Sequence, residues 1–377
     1  MVSSPGVFAA CHLCLSGRPA GVRLWPGGNS HDQGEEEVKP QVSVVVVNLN
    51  RRELLAGCLD SLWAQTFSDF ELIVVDNAST DGSLEFLNSL SEPRLRVVCL
   101  PSNQGFAGGC NAGIRVAKGR YIATLNNDAE ADRRWLEELV GGMESDDSIG
   151  MCASKILFYN DRKRIDKAGH LIYPDGLNHG RGSGEPDRGQ FDQREEVLFP
   201  DAAAAVYRRE MLEVIGLFDE HFFAYGDDAD LGLRGRLAGW KCLYMPAAIV
   251  YHVHSATAGE FSPLKAFLIE RNRIFVAVKI LPLSLLLMSP FFTVLRLAYH
   301  AYGSIFMIGS SGQYAAECSH SRLALMILKA YWSGLKLLPE MWRSRREIRR
   351  FARLTDRDFA ELLRRHRISL RALTLGT

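Results

Sequence analysis

Val42 to Val47 read VSVVVV, five β-branched valines in six positions with no polar alternation. Such a run suits a strand buried on both faces, as in a parallel sheet covered by helices above and below. The next hundred residues repeat the theme. RRELLAGCLDSLWAQ sets Leu54, Leu55, Cys58, Leu59, Leu62 and Trp63 at helical spacing. Glu71 to Val75 is a second buried strand, GSLEFLNSLSE a helix, LRVVCL a third strand, AGGCNAGIRVAK a helix of small residues and GRYIATLNND a fourth strand. Strand and helix in this order give right-handed βαβ units and a doubly wound, mostly parallel α/β sheet. Ligands of such sheets sit at the carboxyl ends of the strands. Those ends are polar here: Asn48-Leu49-Asn50, Asp76-Asn77-Ala78-Ser79, Ser102-Asn103-Gln104-Gly105 and Asn126-Asn127-Asp128.

The 377 residues can bury one large core or two smaller ones. Residues 1–40 mix Gly, Pro and Ser without apolar periodicity and are expected to be a disordered or non-native tail. They lack the basic start and apolar core of a secretion signal, so the body of the protein is expected to stay inside the cell. Residues 41–260 read as one domain of two halves, 41–150 for nucleotide binding and 151–260 for acceptor and catalysis, with a loop-heavy stretch over 154–200. Residues 261–342 read as an apolar helical region and 343–377 as an Arg-rich tail. The tail carries eleven Arg against four acidic residues, although the formal net charge of the chain is zero and no nucleic-acid partner is expected. The eight Cys lack the spacing of a zinc site or a disulfide framework, and the lone CxxC at Cys11 and Cys14 has no second pair. Reduced, buried thiols are expected.

The first strand is followed by NLNRREL, which is neither GxGxxG nor GxxxxGK[ST], so dinucleotide hydride transfer and Walker-type hydrolysis are disfavoured. The most unusual stretch is FFAYGDDADLGLRGRLAGW, residues 222–240. It crowds Asp227, Asp228 and Asp230 behind Phe222, Phe223 and Tyr225. One or two carboxylates suit the first turn of a helix. Three beside aromatics repel one another and raise at least one pKa, a pattern typical of functional sites.

These residues resemble the family 2 glycosyltransferases of GT-A fold, in particular a bacterial rhamnosyltransferase-like branch. The resemblance covers about 42–275 and is carried by VSVVVVNLNRRELLAGCLDSLWAQT, VVDNASTDGS, NQGFAGGCNAGI, LNNDAE, GLFDEHFFAYGDDADLGLRGRLAGW and VYHVHSAT, in the family's order. It implies that Asp76 accepts a hydrogen bond from the nucleotide base, the plainer reading being an Asx-turn. It also implies that Asn48, Ser79, Asn103, Gly105 and Asn126 line the nucleotide pocket. The family's DxD metal motif falls on Asn126-Asn127-Asp128, leaving Asp128 as its carboxylate and weakening the expected hold on Mg²⁺ or Mn²⁺. His252, or less favoured His254, supplies a metal-binding imidazole. Asp228 is the implied general base, with partial desolvation by the aromatics lifting its pKa. Asp227 supports it, and Asp230 is expected to cap its helix and pair with Arg234 four residues on.

Between Lys279 and Arg296 lie sixteen uncharged residues containing Pro282 and Pro290, short of the roughly 20 of a spanning helix. With the uncharged stretch after Arg296 they suit an in-plane or re-entrant membrane contact, the Arg-rich tail lying on anionic lipid. The expectation is an inverting enzyme that moves rhamnose or another hexose from a dTDP-, UDP- or GDP-sugar to a lipid-linked or polysaccharide acceptor at the cytoplasmic face of the membrane. The rivals are a sugar-phosphate nucleotidyltransferase and a non-catalytic nucleotide-sugar binding protein.

Overall fold

A computed structural model describes residues 23–24, 39–253, 262–306 and 320–375. Most of the expected tail, Cys11, Cys14, His254 and the stretch 307–319 lie outside the described residues. The strands are β1 (Arg23–Leu24), β2 (Val42–Asn48), β3 (Phe70–Asp76), β4 (Leu95–Cys99), β5 (Tyr121–Leu125), β6 (Ala129–Ala131), β7 (Ile149–Phe158), β8 (Asp161–Lys167), β9 (His170–Ile172), β10 (Asn178–Gly180), β11 (Glu195–Glu196), β12 (Ala204–Arg208) and β13 (Lys241–His252). One mixed sheet runs β1-β4-β3-β2-β5-β12-β7-β13-β11, with β6 on β13 and β8 on β7. The segment β4-β3-β2-β5 is wholly parallel, β12 is antiparallel to both its neighbours, and β7 and β13 are parallel.

The valine run behaves as its composition requires. Val42, Val44 and Val46 join one apolar layer with Leu55, Leu59 and Leu62 of α1 (Arg52–Trp63); α2 (Ser83–Ser89) contributes Leu87 and α4 (Trp135–Glu144) contributes Trp135 and Leu139. Val45 joins the opposite layer with Ala107, Cys110 and Ile114 of α3 (Gly105–Val116) and Met211 of α5 (Arg209–Ile215). The small residues of α3 let it sit close on β2. A Cβ at Gly109 or Gly113 would lie 2.5 Å from Val47 or Val45.

The stretch 154–200 is more than half turn and loop, yet it also carries strands that its sequence pattern does not announce. β7 continues to Phe158, β8 pairs with it, and β9 and β10 form a hairpin. β8 reads DRKRIDK, and its first four residues are exposed. An edge strand of this kind shows no apolar alternation, which is why the sequence pattern missed it.

α6 (Asp227–Leu237) packs against α7 (Pro263–Ile280), whose residues Phe275 to Ile280 are buried. α8 spans Leu283–Ile305 as one helix through both Pro290 and Arg296, 23 residues rather than an interrupted run. Pro290 cannot donate to the Leu286 carbonyl, and the Ser289 hydroxyl does so instead at 2.9 Å. α9 (His320–Lys336) and α10 (Leu338–Phe351) pack on α7, followed by α11 (Asp356–Arg365) and α12 (Leu370–Leu375).

Gly113→Val should cost about 1–3 kcal/mol of stability in urea unfolding, because the added atoms meet Val45 and Val75. Gly141→Ala in α4, where a Cβ meets nothing within 4 Å, should stabilise by about 0.5–1 kcal/mol.

Candidate active site

The carboxyl ends of β2, β3 and β5 meet in one hydrogen-bonded group. The Asn48 amide donates to Ser79 Oγ at 3.1 Å and accepts from Asn127 Nδ2 at 2.8 Å. Ser79 N–H donates to Asp76 Oδ2 at 3.1 Å, so the Asx-turn exists. It uses only one oxygen. Asp76 is 2% exposed, and its Oδ1 is buried with no hydrogen-bond partner among the described residues. An acceptor-only oxygen left bare at a strand end suits an incoming N–H. Asn103 Oδ1 accepts from Gly105 N–H at 2.8 Å and from Asn77 Nδ2 at 3.1 Å, closing the turn into α3.

β13 delivers His252 opposite Ala129 of β6, directly after Asp128. His252 Nε2 lies 3.2 Å from Asp128 Oδ1 and 3.3 Å from Asn126 Nδ2, while Nδ1 meets Asp166 Oδ2 at 2.9 Å. Asp166 arrives on β8 across β7, a partner that sequence reasoning missed. Burial alone would lower the His252 pKa, but the hydrogen bonds to Asp128 and Asp166 override it and push the imidazolium to about 9. The same arrangement fits a cation in place of that proton. A carboxylate oxygen and an imidazole nitrogen about 3 Å apart can be neighbouring ligands of one octahedral ion, and Asp166 would hold the second ring nitrogen.

The acidic cluster opens α6 behind a contorted turn. Phe223 and Tyr225 both have φ of 67° and Gly226 has 79°, two of them non-glycine residues at the positive φ that L side chains rarely adopt. Side chains and amides from elsewhere hold the turn. Phe223 O accepts from Phe106 N–H at 2.7 Å, and Asn272 Nδ2 lies 2.9, 2.8 and 2.7 Å from the carbonyls of Phe222, Ala224 and Tyr225. Gly105, at φ +72°, abuts the turn so closely that a Cβ would sit 2.3 Å from Phe223 O. The aromatics therefore serve the turn. Phe222 packs edge-on against Phe275 at 5.5 Å, and Phe223 covers Gly105.

Asp228 Oδ1 accepts from Ala229 N–H at 2.8 Å, and Oδ2 lies 3.5 Å from His170 Nε2. Burial raises its pKa, as expected, with His170 and Lys167 opposing the rise. Asp227, 3% exposed, is pushed well above the carboxylate range by burial and then by the Asp228 charge. Asp230 does not cap the helix. Gly226 occupies the N-cap without a side-chain bond, and Asp230 is fully buried between Arg234 Nε at 2.9 Å and Lys279 Nζ at 2.6 Å. Only the Arg234 pairing of that expectation survives, because the α6 N-terminus lies under the turn while Asp230 faces α7.

His170, Asp201 and Asp228 also bring three ligand atoms within 4.8 Å of one another. Lys167 Nζ, 2.6 Å from Asp201 Oδ2, already supplies a positive charge there, so the donor set at Asp128 and His252 fits a divalent ion better.

The architecture, with its site on the carboxyl edge of a mixed sheet, is that of the GT-A glycosyltransferases. Residues 43–216, just under half of the chain, match the family model for glycosyl transferase family 2. The chain is 36% identical over 239 residues to the succinoglycan biosynthesis protein ExoO of Rhizobium meliloti, covering 58% of this chain and 62% of that protein. It is 30% identical over 232 residues to the O-antigen biosynthesis protein RfbC of Myxococcus xanthus, covering 58% of this chain and 18% of that one. It thus spans less than two thirds of either relative. The crystal structure of GalNAc-T7 with UDP, GalNAc and Mn²⁺ superposes with a TM-score of 0.54 at 17% identity, over 81% of this chain and 57% of that one, a likeness of fold alone.

The raised His252 pKa predicts a stability that depends on pH when chelator keeps metal away. A folded pKa of about 9 against an ordinary 6.5 contributes fully below pH 6.5 and is lost as pH rises through about 9. Thermal unfolding in EDTA should show a loss of about 3 kcal/mol across that window, and His252→Gln should flatten it.

Proposed function

We propose that this chain is an inverting glycosyltransferase that moves rhamnose or another hexose from a nucleotide-diphosphate sugar to a lipid-linked or surface-polysaccharide acceptor. The observation that carries the reading is the pairing of Asp128, inside the segment that matches the family 2 model, with His252, 3.2 Å away. Asp76 Oδ1 would take the N3–H of uracil or thymine, or an N–H of guanine, and Ser79 and Asn48 hold that carboxylate in place. Asp128 and His252 would hold Mg²⁺ or Mn²⁺, whose charge offsets that of a departing diphosphate. Asp228 accepts the proton of the acceptor hydroxyl, and a pKa raised by burial makes it a stronger base than an ordinary carboxylate. The strained turn before it fixes where that carboxylate stands. Relatives named for O-antigen and succinoglycan biosynthesis support a polysaccharide product.

The transfer is placed at the cytoplasmic face of a membrane, and α8 supports the membrane contact in that reading. Its inner face is locked to the body, where Arg296 meets Asp175 at 2.8 Å and Glu270 at 2.6 Å. Its outer face leaves Leu287 73%, Phe291 60%, Val294 68% and Ile305 71% exposed. A helix of 23 residues is long enough to span, but burying three charges on one side and apolar groups on the other suits lying flat on lipid.

Asp228→Asn should lower transfer about 10²–10⁴-fold while nucleotide-sugar affinity by calorimetry holds. Asp128→Ala should remove the response to added Mn²⁺, and wild-type transfer that ignores EDTA would refute the metal role. A Leu287→Glu, Phe291→Glu, Val294→Glu triple variant should stay in the supernatant when spun with anionic vesicles that pellet the wild type. Co-sedimentation of the variant would remove the membrane reading.

A further inference from the structure

β9 begins at His170, a residue to which neither the family motifs nor the proposed transfer reaction gives a role. It is 4% exposed and stacks on Phe199 with centroids 4.9 Å apart and planes 12° from parallel. Both ring nitrogens are engaged. Asn178 Nδ2, on β10 across the hairpin, lies 3.2 Å from Nδ1, which makes Nδ1 the acceptor. Nε2 faces two carboxylates, Asp201 Oδ2 at 3.1 Å and Asp228 Oδ2 at 3.5 Å, and so carries the proton. In that tautomer Nε2 is a donor toward both carboxylates.

The surroundings explain why a donor is needed. Asp228 opposes the ionisation of Asp227 beside it on α6. Asp201 repels the Asp228 charge from the loop before β12, and Tyr207 of β12 is also close enough to feel it. Against these stand His170 from β9 and Lys167 from β8, and the Lys167 ammonium is drawn to Asp201 at 2.6 Å. His170 Nε2, 3.1 Å from Asp201 Oδ2 and 3.5 Å from Asp228 Oδ2, is thus a polar N–H shared between the two carboxylates.

Resting on the assignment of Asp228 as base, we propose that His170 is a positioning residue: its Nε2–H, oriented by Asn178 and the Phe199 stack, holds the Asp228 carboxylate ionised and fixes its rotamer. Lys167 and Asp201 complete the device by pairing with each other. Asp201 is kept well below the carboxylate range, since the Lys167 and His170 contacts outweigh its burial. It thus stays an anion 3.1 Å from His170 Nε2.

The test compares wild type, His170→Gln and His170→Leu by two independent readouts. One is the titration of the Asp228 carboxyl carbon by NMR in aspartate-labelled protein, assigned by its loss in Asp228→Asn. The other is the pH profile of kcat/KM. In His170→Leu the Asp228 midpoint and the acid limb of the profile should both move up by about one pH unit or more, tenfold in the ionisation constant. His170→Gln keeps an N–H donor and should move them by less than half as much, with nucleotide-sugar affinity unchanged in both. A Leu variant whose Asp228 midpoint stays at the wild-type value overturns the proposal, and so does a Gln variant that shifts as far as Leu. Should His170→Leu not fold, Asn178→Leu carries the test. It frees the ring from its tautomer and should move the Asp228 midpoint in the same direction, and no movement overturns the proposal. The carboxyl titration needs no turnover. A shift there in a protein that transfers no sugar upholds the contact and refutes the glycosyltransferase reading, whereas transfer with an unmoved midpoint does the reverse.

Discussion

The Asn272 side chain holds the turn on which the site depends. Its amide meets three carbonyls of Phe222–Tyr225, and without it two non-glycine residues at φ 67° would have little reason to stay there. That turn starts α6, and the first residues of α6 are Asp227 and Asp228. The clamp comes from α7, beyond the 43–216 segment that matches the family model. The same helix sends Lys279 to Asp219 and Asp230, so the charge balance beneath the acidic cluster also comes from outside that segment. The carboxyl-terminal helices are part of what shapes the site.

Two polar groups, one around Asp128 and one around Asp228, are joined by adjacent residues of β8. Asp166 holds His252, and Lys167, its neighbour, holds Asp201, which with Asp228 flanks His170. Opposite charges alternate along this path, so each buried anion has a cation or a polar hydrogen beside it. Burying any of them alone would be costly. A strand with four exposed charged residues thus supplies a buried Asp166 and a half-buried Lys167 at its far end, which links the proposed cation site to the proposed base.

α8 shows the same pairing rule nearer the surface. Arg296 is 1% exposed and is neutralised by Asp175 and Glu270, so the helix is tied to the body through ions. Its apolar side chains are then free to face outward. Trp332 of α9, 63% exposed, and Trp342 of α10, 41% exposed, add aromatic groups of the kind that settle at a lipid interface.

The parallel half of the sheet was legible in the sequence because local chemistry decides it. β-branched runs buried on both faces have few other folds open to them, and the small residues of α3 foretell its close approach to β2. Asn48, Asp76, Ser79, Asn126 and Asp128 stand at strand ends, where periodicity alone locates them, and the pairing of Asp230 with Arg234 follows from helical spacing. Tertiary structure decided the rest. Asp166, Lys167, His170 and Asp201 lie in a stretch whose edge strands carry no apolar rhythm, and their meaning comes from pairing across β7. Asp230 reads as a cap until Lys279 is brought against it, and the path of α8 through Pro290 depends on the Ser289 hydroxyl at one carbonyl. A short pattern records what a residue does to its own backbone. It carries no trace of a charge that becomes a partner only when two distant segments are buried together, since that energy exists only in the folded state.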